Sequence, residues 1–343
     1  MENQTMNRNS TLSLLLISPI LFNSCKHDAC CGIPAAIADG TWIAQPGMPA
    51  EGRSESVAFV IGNYVYVGTG VDSNFTRLND FWRFDPSNNT WSQQVNLAGI
   101  ARNSAVGFSV NGEGYIATGY DGYNMLSDCW QFDPNANAWT QKAAFIGTAR
   151  YDAVAFSIGN YGYIGTGYDG SYQKDFYRYD PSSDSWSATI SYPGYTRTQA
   201  IAFVYYDSAY VVTGSSSGSV VNDFWRFDPN LDDASQWRQL RNITNSSPGT
   251  YDDGYTTIER SNGVGFVLKN TKIGDRAFIA TGINGALMNQ TWAYNFATDL
   301  WNEMTSLPAN RQGAIGFSVS GRGFVGLGLS GNTPLSDLTE FQP

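Results

Sequence analysis

The chain has a single histidine, His27, only five lysines beside fifteen arginines, and four cysteines in 343 residues. With one imidazole, no Ser-His-Asp or Cys-His site can be assembled in the body of the chain, nor can a metal centre that needs two or more histidines. No Walker-type phosphate loop and no dinucleotide fingerprint follow a strand and open a helix, which excludes nucleotide chemistry of those kinds. The formal net charge is −10 and the Lys and Arg residues form no run, so the electrostatic footprint of a nucleic-acid binder is missing. The apolar run Leu12 to Phe22 is too short to cross a bilayer as a helix. Helix formers are scarce. What is abundant instead is aromatic residues, at 14%, and glycine, at 36 residues. Aromatic and β-branched stretches cut by Gly, Asn, Asp and Pro predict many short strands and few helices.

The apolar run has a basic approach, Met6-Asn-Arg8, and ends in Asn23-Ser24-Cys25. A charged start, a short apolar core and a small residue before the break describe a secretory signal. The ending resembles a bacterial lipobox, with Ser24 at the small position and Cys25 bearing the lipid. An ordinary signal peptide with an incidental Cys25 is the alternative. The resemblance implies a lipoprotein signal over 1–24, a linker over 25–39 and attachment to a membrane by lipid only. It places the protein in the cell envelope of a Gram-negative bacterium, as an outer-membrane lipoprotein or in the periplasm. Cys30 and Cys31 in the linker have only His27 nearby, too few ligands for zinc, which leaves a disulfide to another chain or no role. Cys129 stands where other copies of a repeat have Phe, and reads as a buried core thiol.

That repeat governs the rest of the chain. The stretch NDFWRFDPSNNTW at Asn79 to Trp91 returns as SDCWQFDPNANAW at Ser127, KDFYRYDPSSDSW at Lys174 and NDFWRFDPNLDDASQW at Asn222. A worn copy, NQTWAYNFATDLW, starts at Asn289. Each is preceded in the same order by an Arg, a strand of small and apolar residues, a turn, and an aromatic strand ending in small-Thr-Gly, as in Tyr64 to Gly70. The arginines are Arg53, Arg102, Arg150, Arg197, Arg260 and Arg311, separated by 49, 48, 47, 63 and 51 residues. Four strands, a to d, result per copy. Asp85-Pro86 opens the turn between c and d, with Pro presetting φ and Asp capping the backbone. The pair Phe81-Trp82 gives strand c two apolar faces, which must both be covered. Small residues in strand a, such as Ala58, Gly107 and Gly316, suit the crowded innermost position.

A period near 50 with this order resembles kelch-type propeller blades. The Thr-Gly after strand b, the aromatic of strand c and the Trp of strand d are similar to the Gly-Gly, Tyr and Trp pattern of kelch repeats, with Gly-Thr-Gly in place of the usual Gly-Gly. The chain also resembles bacterial surface proteins with galactose-oxidase-like central domains. The fold expected is therefore all-β, a six-bladed propeller over 40–343 with blades starting near 53, 102, 150, 197, 260 and 311. The sixth copy lacks its strand-d Trp. The missing piece lies at the other end, where Trp42 precedes Arg53 by the same 11 residues that separate Trp91 from Arg102. Residues 40–46 are therefore expected to complete the last blade and close the ring.

The connections d–a and b–c share one end of each blade. The expectation is that the six arginines ring one mouth of the central channel, joined by Asp72, Tyr120, Asp121, Tyr168 and Asp169 from b–c loops. Guanidinium forks suit carboxylates, which points to an anionic ligand, a sugar acid or an acidic peptide. The structural alternative has each Arg bonding carbonyls and an Asp of the neighbouring blade, and recurrence in all six copies favours it. The spacing of 63 locates an insert, Arg241 to Glu259, on the same face, where Tyr251, Asp252, Asp253 and Tyr255 are candidates for a lid. The carboxylates of Glu55, Asp121, Asp152 and Asp169 are expected near this face and could do acid/base work.

Copper oxidase chemistry of the galactose-oxidase kind is disfavoured by the single His. The resemblance in blade number and export to sialic-acid epimerase propellers leaves a sugar-acid isomerase, epimerase or lyase as the enzyme alternative. The expectation adopted is a monomeric binding module for a glycan or protein partner rather than an enzyme. No catalytic residue, cofactor or metal is assigned, and no nucleic-acid partner.

Overall fold

The structure, a computed structural model, describes residues 40–244 and 255–343. The expected signal segment, Cys25, Cys30, Cys31, and Tyr251, Asp252 and Asp253 lie outside the described residues. The rest forms six four-stranded antiparallel sheets. In blade 1 the strands are Val57–Ile61, Tyr64–Gly68, Phe81–Asp85 and Thr90–Gln94. Strand a of each blade contacts strand a of the next, and blade 6 returns to blade 1. Among the described residues a single turn of 3₁₀ helix, Asp233–Ser235, stands outside this all-β pattern.

Closure runs through the N-terminus as the repeat count requires. Thr41–Gln45 pairs antiparallel with Leu338–Gln342 as the outer strand of blade 6, register Trp42 to Phe341. The Trp42 ring lies 4.8 Å from Phe341, and its indole N–H donates to the Thr305 carbonyl of blade 5 at 2.8 Å. Pairing this early strand with the last one in a single sheet closes the ring.

The two faces of strand c are covered by different neighbours. Phe81 packs on Phe132 and Trp139 of blade 2, at 5.0 and 4.9 Å. Phe84, on the opposite face, meets Phe324 of blade 6 at 5.5 Å. Cys129 occupies the Phe81 position in blade 2 and is fully buried, where burial pushes its thiol pKa up. The c–d turns have the expected cap: the Asp85 carboxylate accepts from the Ser87 N–H at 2.9 Å, and Asp133, Asp180 and Asp228 do the same two residues ahead. Strand-d tryptophans tie each blade to the one before. Trp91, Trp139, Trp186 and Trp237 donate their indole N–H to carbonyls of Pro46, Val95, Ala143 and Ile190.

Small residues line the axis because neighbouring strands leave no room. A Cβ on Gly107 would come within 2.2 Å of Val57 and one on Gly316 within 2.7 Å of Val264. Six inner strands at this spacing enclose a narrow channel of about 200 Å³, lined by residues such as Ala58, Ala155 and Gly265.

Candidate functional site at the channel mouth

The six repeat arginines are not at the mouth. All are 0–1% exposed. Arg102 forks onto Asp128 with bonds of 2.6 and 2.7 Å and donates to the Thr118 carbonyl at 2.9 Å. Arg53 with Asp80, Arg150 with Asp175 and Arg311 with Asp337 repeat the pattern, and Arg197 gives Asp223 a single bond. The Asp partner lies on the approach to strand c of the same blade, which corrects the expectation of a neighbouring-blade partner. Burial works against the Asp128 carboxylate, yet the bonds and charge of Arg102 hold its pKa below the ordinary value. Each guanidinium is thus committed within the protein, and the proposed anion-binding ring does not exist as a solvent-facing feature.

Their backbone explains the recurrence. Thr69, Thr118, Thr166, Thr213 and Thr281 have φ of 60–63°, and each is followed by a glycine with φ above 90°. This double left-handed step turns the Thr carbonyl toward the Arg of its own blade. It also turns the Gly N–H toward the next blade's Arg carbonyl, as from Gly70 to Arg102 at 2.8 Å. Leu327 does the same in blade 6 at φ 56°. The hydroxyl takes no part in this step, and among the described residues the five buried Thr Oγ1 atoms have no partner.

Blade 5 departs from the set. Gln290 stands where the others have Asp, and among the described residues Arg260 bonds only carbonyls, those of Ile258, Thr281, Gln290 and Thr257. Burial lowers its pKa to about 9, opposed only in part by the charge of Glu303. The insert supplies substitutes: Thr257 also takes the Trp292 indole N–H that in blades 1, 2 and 4 goes to the Asp. Tyr255 is buried, edge-on to Trp292 at 5.9 Å, and its hydroxyl accepts the Trp301 backbone N–H at 2.8 Å. It is a core residue and not a lid residue, because the Arg241–Glu259 insert buries Ile243 and Ile258 at its ends.

The mouth itself is built two residues after each Arg. Glu55, Ser104, Asp152, Gln199, Asn262 and Gly313 all have φ between 53° and 58°. The N–H of each donates to the carbonyl of the one before, with Glu55 taking Gly313, at 2.7–3.1 Å. A closed circle of six backbone bonds encloses a vestibule of about 170 Å³ over the channel. A non-glycine residue in the left-handed region costs about 1–2 kcal/mol, which the circle of bonds, each about 1 kcal/mol, offsets. The frame is six-fold while the side chains it presents are all different.

That asymmetry opens a larger cavity of about 860 Å³ over blades 1 to 3, lined by Glu55, Asn103, Ser104, Tyr120, Tyr151 and Asp152 among others. Tyr120 and Tyr151 of its lining begin a ledge of tyrosines that runs on through Tyr168 and Tyr172. Tyr120 to Tyr151, Tyr151 to Tyr168 and Tyr168 to Tyr172 are 5.6, 5.6 and 5.3 Å apart, and Arg77 caps the Tyr120 ring at 5.4 Å. The positions matching Tyr151 and Tyr168 are Thr198 and Ser215 in blade 4, Ser261 and Ile283 in blade 5, and Gln312 and Leu329 in blade 6. The ledge therefore belongs to one side only.

At the inner end Ser104 joins the same cluster: its hydroxyl donates to Glu55 Oε2 at 2.9 Å and accepts from the Asn103 amide at 3.2 Å. Gln199 donates to Asp152 Oδ2 at 3.0 Å. Burial, and then the charge of Glu55, push the Asp152 pKa up to about 7. Among the described residues no group of three His, Cys, Asp or Glu is placed to hold a metal.

Of the loop residues expected here, Tyr120 and Tyr168 lie in the ledge. Asp72 is buried and caps its own loop by accepting the N–H groups of Asn74 and Thr76, both at 2.8 Å. Asp121 likewise accepts from Tyr123 and Asn124, and Asp169 from Ser171 and Gln173, although Asp169 also borders the cavity. Tyr151, Asn103 and Gln199 escaped sequence reasoning. Their signal was there: two residues after a constant Arg no side chain occurs twice, and one residue after it only Ser does.

Residues 39–196 match the family model described as the KLHDC2/KLHL20/DRC7 Kelch-repeats domain. No curated protein matches the chain by sequence. Among solved structures, that of YjhT is similar, with a TM-score of 0.70 and 16% identity over 86% of this chain and 95% of that one. At that identity the likeness concerns the fold.

Proposed function

We propose that this chain, a six-bladed kelch-repeat propeller, is a binding module whose ligand is a glycan held in the cavity over blades 1 to 3. One observation carries this: a cavity of about 860 Å³ whose wall combines a tyrosine ledge with Glu55, Asn103, Asp152 and Gln199. Tyrosine faces supply flat apolar area with a polar edge, suited to the faces of sugar rings, while carboxyls and amides suit hydroxyl groups. The volume falls within the range of about 300–1,000 Å³ usual for small-ligand sites. The sugar-acid isomerase, epimerase or lyase alternative drew its substrate contact from an arginine funnel, and with the arginines buried nothing favours it. Export and a lipid anchor at Cys25 would hold such a binder at the cell envelope.

The test is a glycan array probed with the purified protein, followed by titration of any hit against Tyr151→Ala. A saccharide hit weakened at least tenfold by that substitution is expected. An array with no hits, or a hit indifferent to Tyr151, would overturn the proposal.

A further inference from the structure

The cavity is lined by aromatic and acidic groups and by no base. Three carboxyl residues, Glu55, Asp152 and Asp169, border it together with Tyr120, Tyr123 and Tyr151, and among the described residues no Lys or Arg lines it. We infer that the glycan carries a protonated amine, seated at Glu55 and Asp152 against the faces of Tyr120 and Tyr151. This inference rests on the saccharide site proposed above and names the class of sugar it takes.

Three features of the geometry agree on it. The first is the spare acceptor capacity of Glu55. Its Oε2 takes the Ser104 hydroxyl and the Asn103 amide, while among the described residues Oε1 has no protein donor, leaving one edge of a carboxylate for a ligand donor. A neutral acetamide there would cover the charge with a single weaker bond, whereas an ammonium both bonds and neutralises it. The second is the ledge. Tyrosine faces attract cations within about 6 Å, and Tyr120 already holds one, the Arg77 guanidinium at 5.4 Å. Arg77 itself spends Nε on Asn103 Oδ1 and Nη1 on the Phe75 carbonyl, at 3.0 and 2.8 Å. The third is the placing of Glu55 and Asp152 together in the cavity wall. The groups facing Asp152 are Glu55, Ser104 and Gln199 from three other blades, with Tyr151 beside it; none is a cation. An ammonium arriving here supplies the counter-charge that lets Asp152 release its proton, so binding expels a proton to solvent.

The experiment compares, with the full chain at pH 6.5, the fully deacetylated β-1,4-glucosamine trisaccharide and its N-acetylated counterpart by isothermal titration calorimetry in two buffers of different ionisation enthalpy. The expected result is at least tenfold tighter binding of the amine form, with a buffer-dependent enthalpy that reports proton release. Glu55→Gln is expected to bring the two affinities within twofold of each other. Equal or tighter binding of the N-acetylated sugar would overturn the amine inference and leave the saccharide site standing. A tenfold preference that persists in Glu55→Gln would overturn the seat at Glu55. Binding of neither sugar, with no other saccharide found on an array, would overturn both proposals.

Discussion

The N–H of Gly328 donates to the carbonyl of Arg53 at 2.8 Å, joining the last blade to the first by the same bond that joins every other neighbouring pair. It is one of two hydrogen-bonded circles around the axis, the other linking Glu55 through Gly313. The seam is therefore bonded at the inner edge like any blade boundary, and its outer edge depends on Thr41–Gln45.

Removing that outer strand should be costly. Deleting residues 39–46 is expected to lower the melting temperature sharply. Trp42→Ala alone should cost about 1–3 kcal/mol in chemical denaturation, since this half-buried residue loses the Phe341 contact and the bond to Thr305. An unchanged unfolding curve for the deletion would show that the ring does not need this strand.

The buried arginines make a paired prediction. Asp128→Ala leaves Arg102 in the protein without its counter-charge and should destabilise by about 3–5 kcal/mol. In blade 5 the sign reverses: Gln290→Asp gives Arg260 the carboxylate it lacks and should stabilise by about 1 kcal/mol. Urea unfolding of both variants checks this, and a destabilised Gln290→Asp would mean that the carbonyls around Arg260 already satisfy it.

Asp152 predicts a pH dependence. Its pKa is raised from 3.8 to about 7 by burial and by the charge of Glu55. Between those values the folded state holds a proton that the unfolded state has released. Unfolding free energy should therefore fall, through this group, as pH rises from about 4 to 7, by an amount on the order of 2–4 kcal/mol. Asp152→Asn should remove that slope and be more stable than the wild type at pH 8. Parallel stability-pH curves for the two proteins would sink the assignment.

Tyr255 separates a core role from a lid role. Tyr255→Ala should cost about 3–5 kcal/mol, because the side chain is buried on Trp292 and its hydroxyl bonds Trp301. A lid residue would instead alter ligand release and leave the unfolding midpoint in place.

Cys25 is proposed as the lipid-bearing residue. Expression in a Gram-negative host with labelled palmitate should give a labelled, membrane-associated protein, and Cys25→Ser should give an unlabelled one. Equal labelling of both would remove the anchor from Cys25.

Blade number, strand order and the closing strand were legible in the sequence because each rests on local rules repeated six times. Asp-Pro fixes the c–d turn, Thr-Gly fixes the left-handed step, and the spacing from Trp42 to Arg53 matches that from Trp91 to Arg102. The role of the arginines was half legible. Asp80, Asp128, Asp175, Asp223 and Asp337 recur in step with them, and Gln290 marks the blade where the pairing fails. That each pair lies inside one blade, out of solvent, follows only from the folding of the b–c loop over the guanidinium. The cavity was least legible. Tyr120, Tyr151, Glu55 and Asp152 come from three blades, and no sequence spacing measures the distance between them. A repeat determines the frame because identical segments must pack identically. The tertiary structure decides the site, because there the side chains that differ between repeats are brought together around one axis.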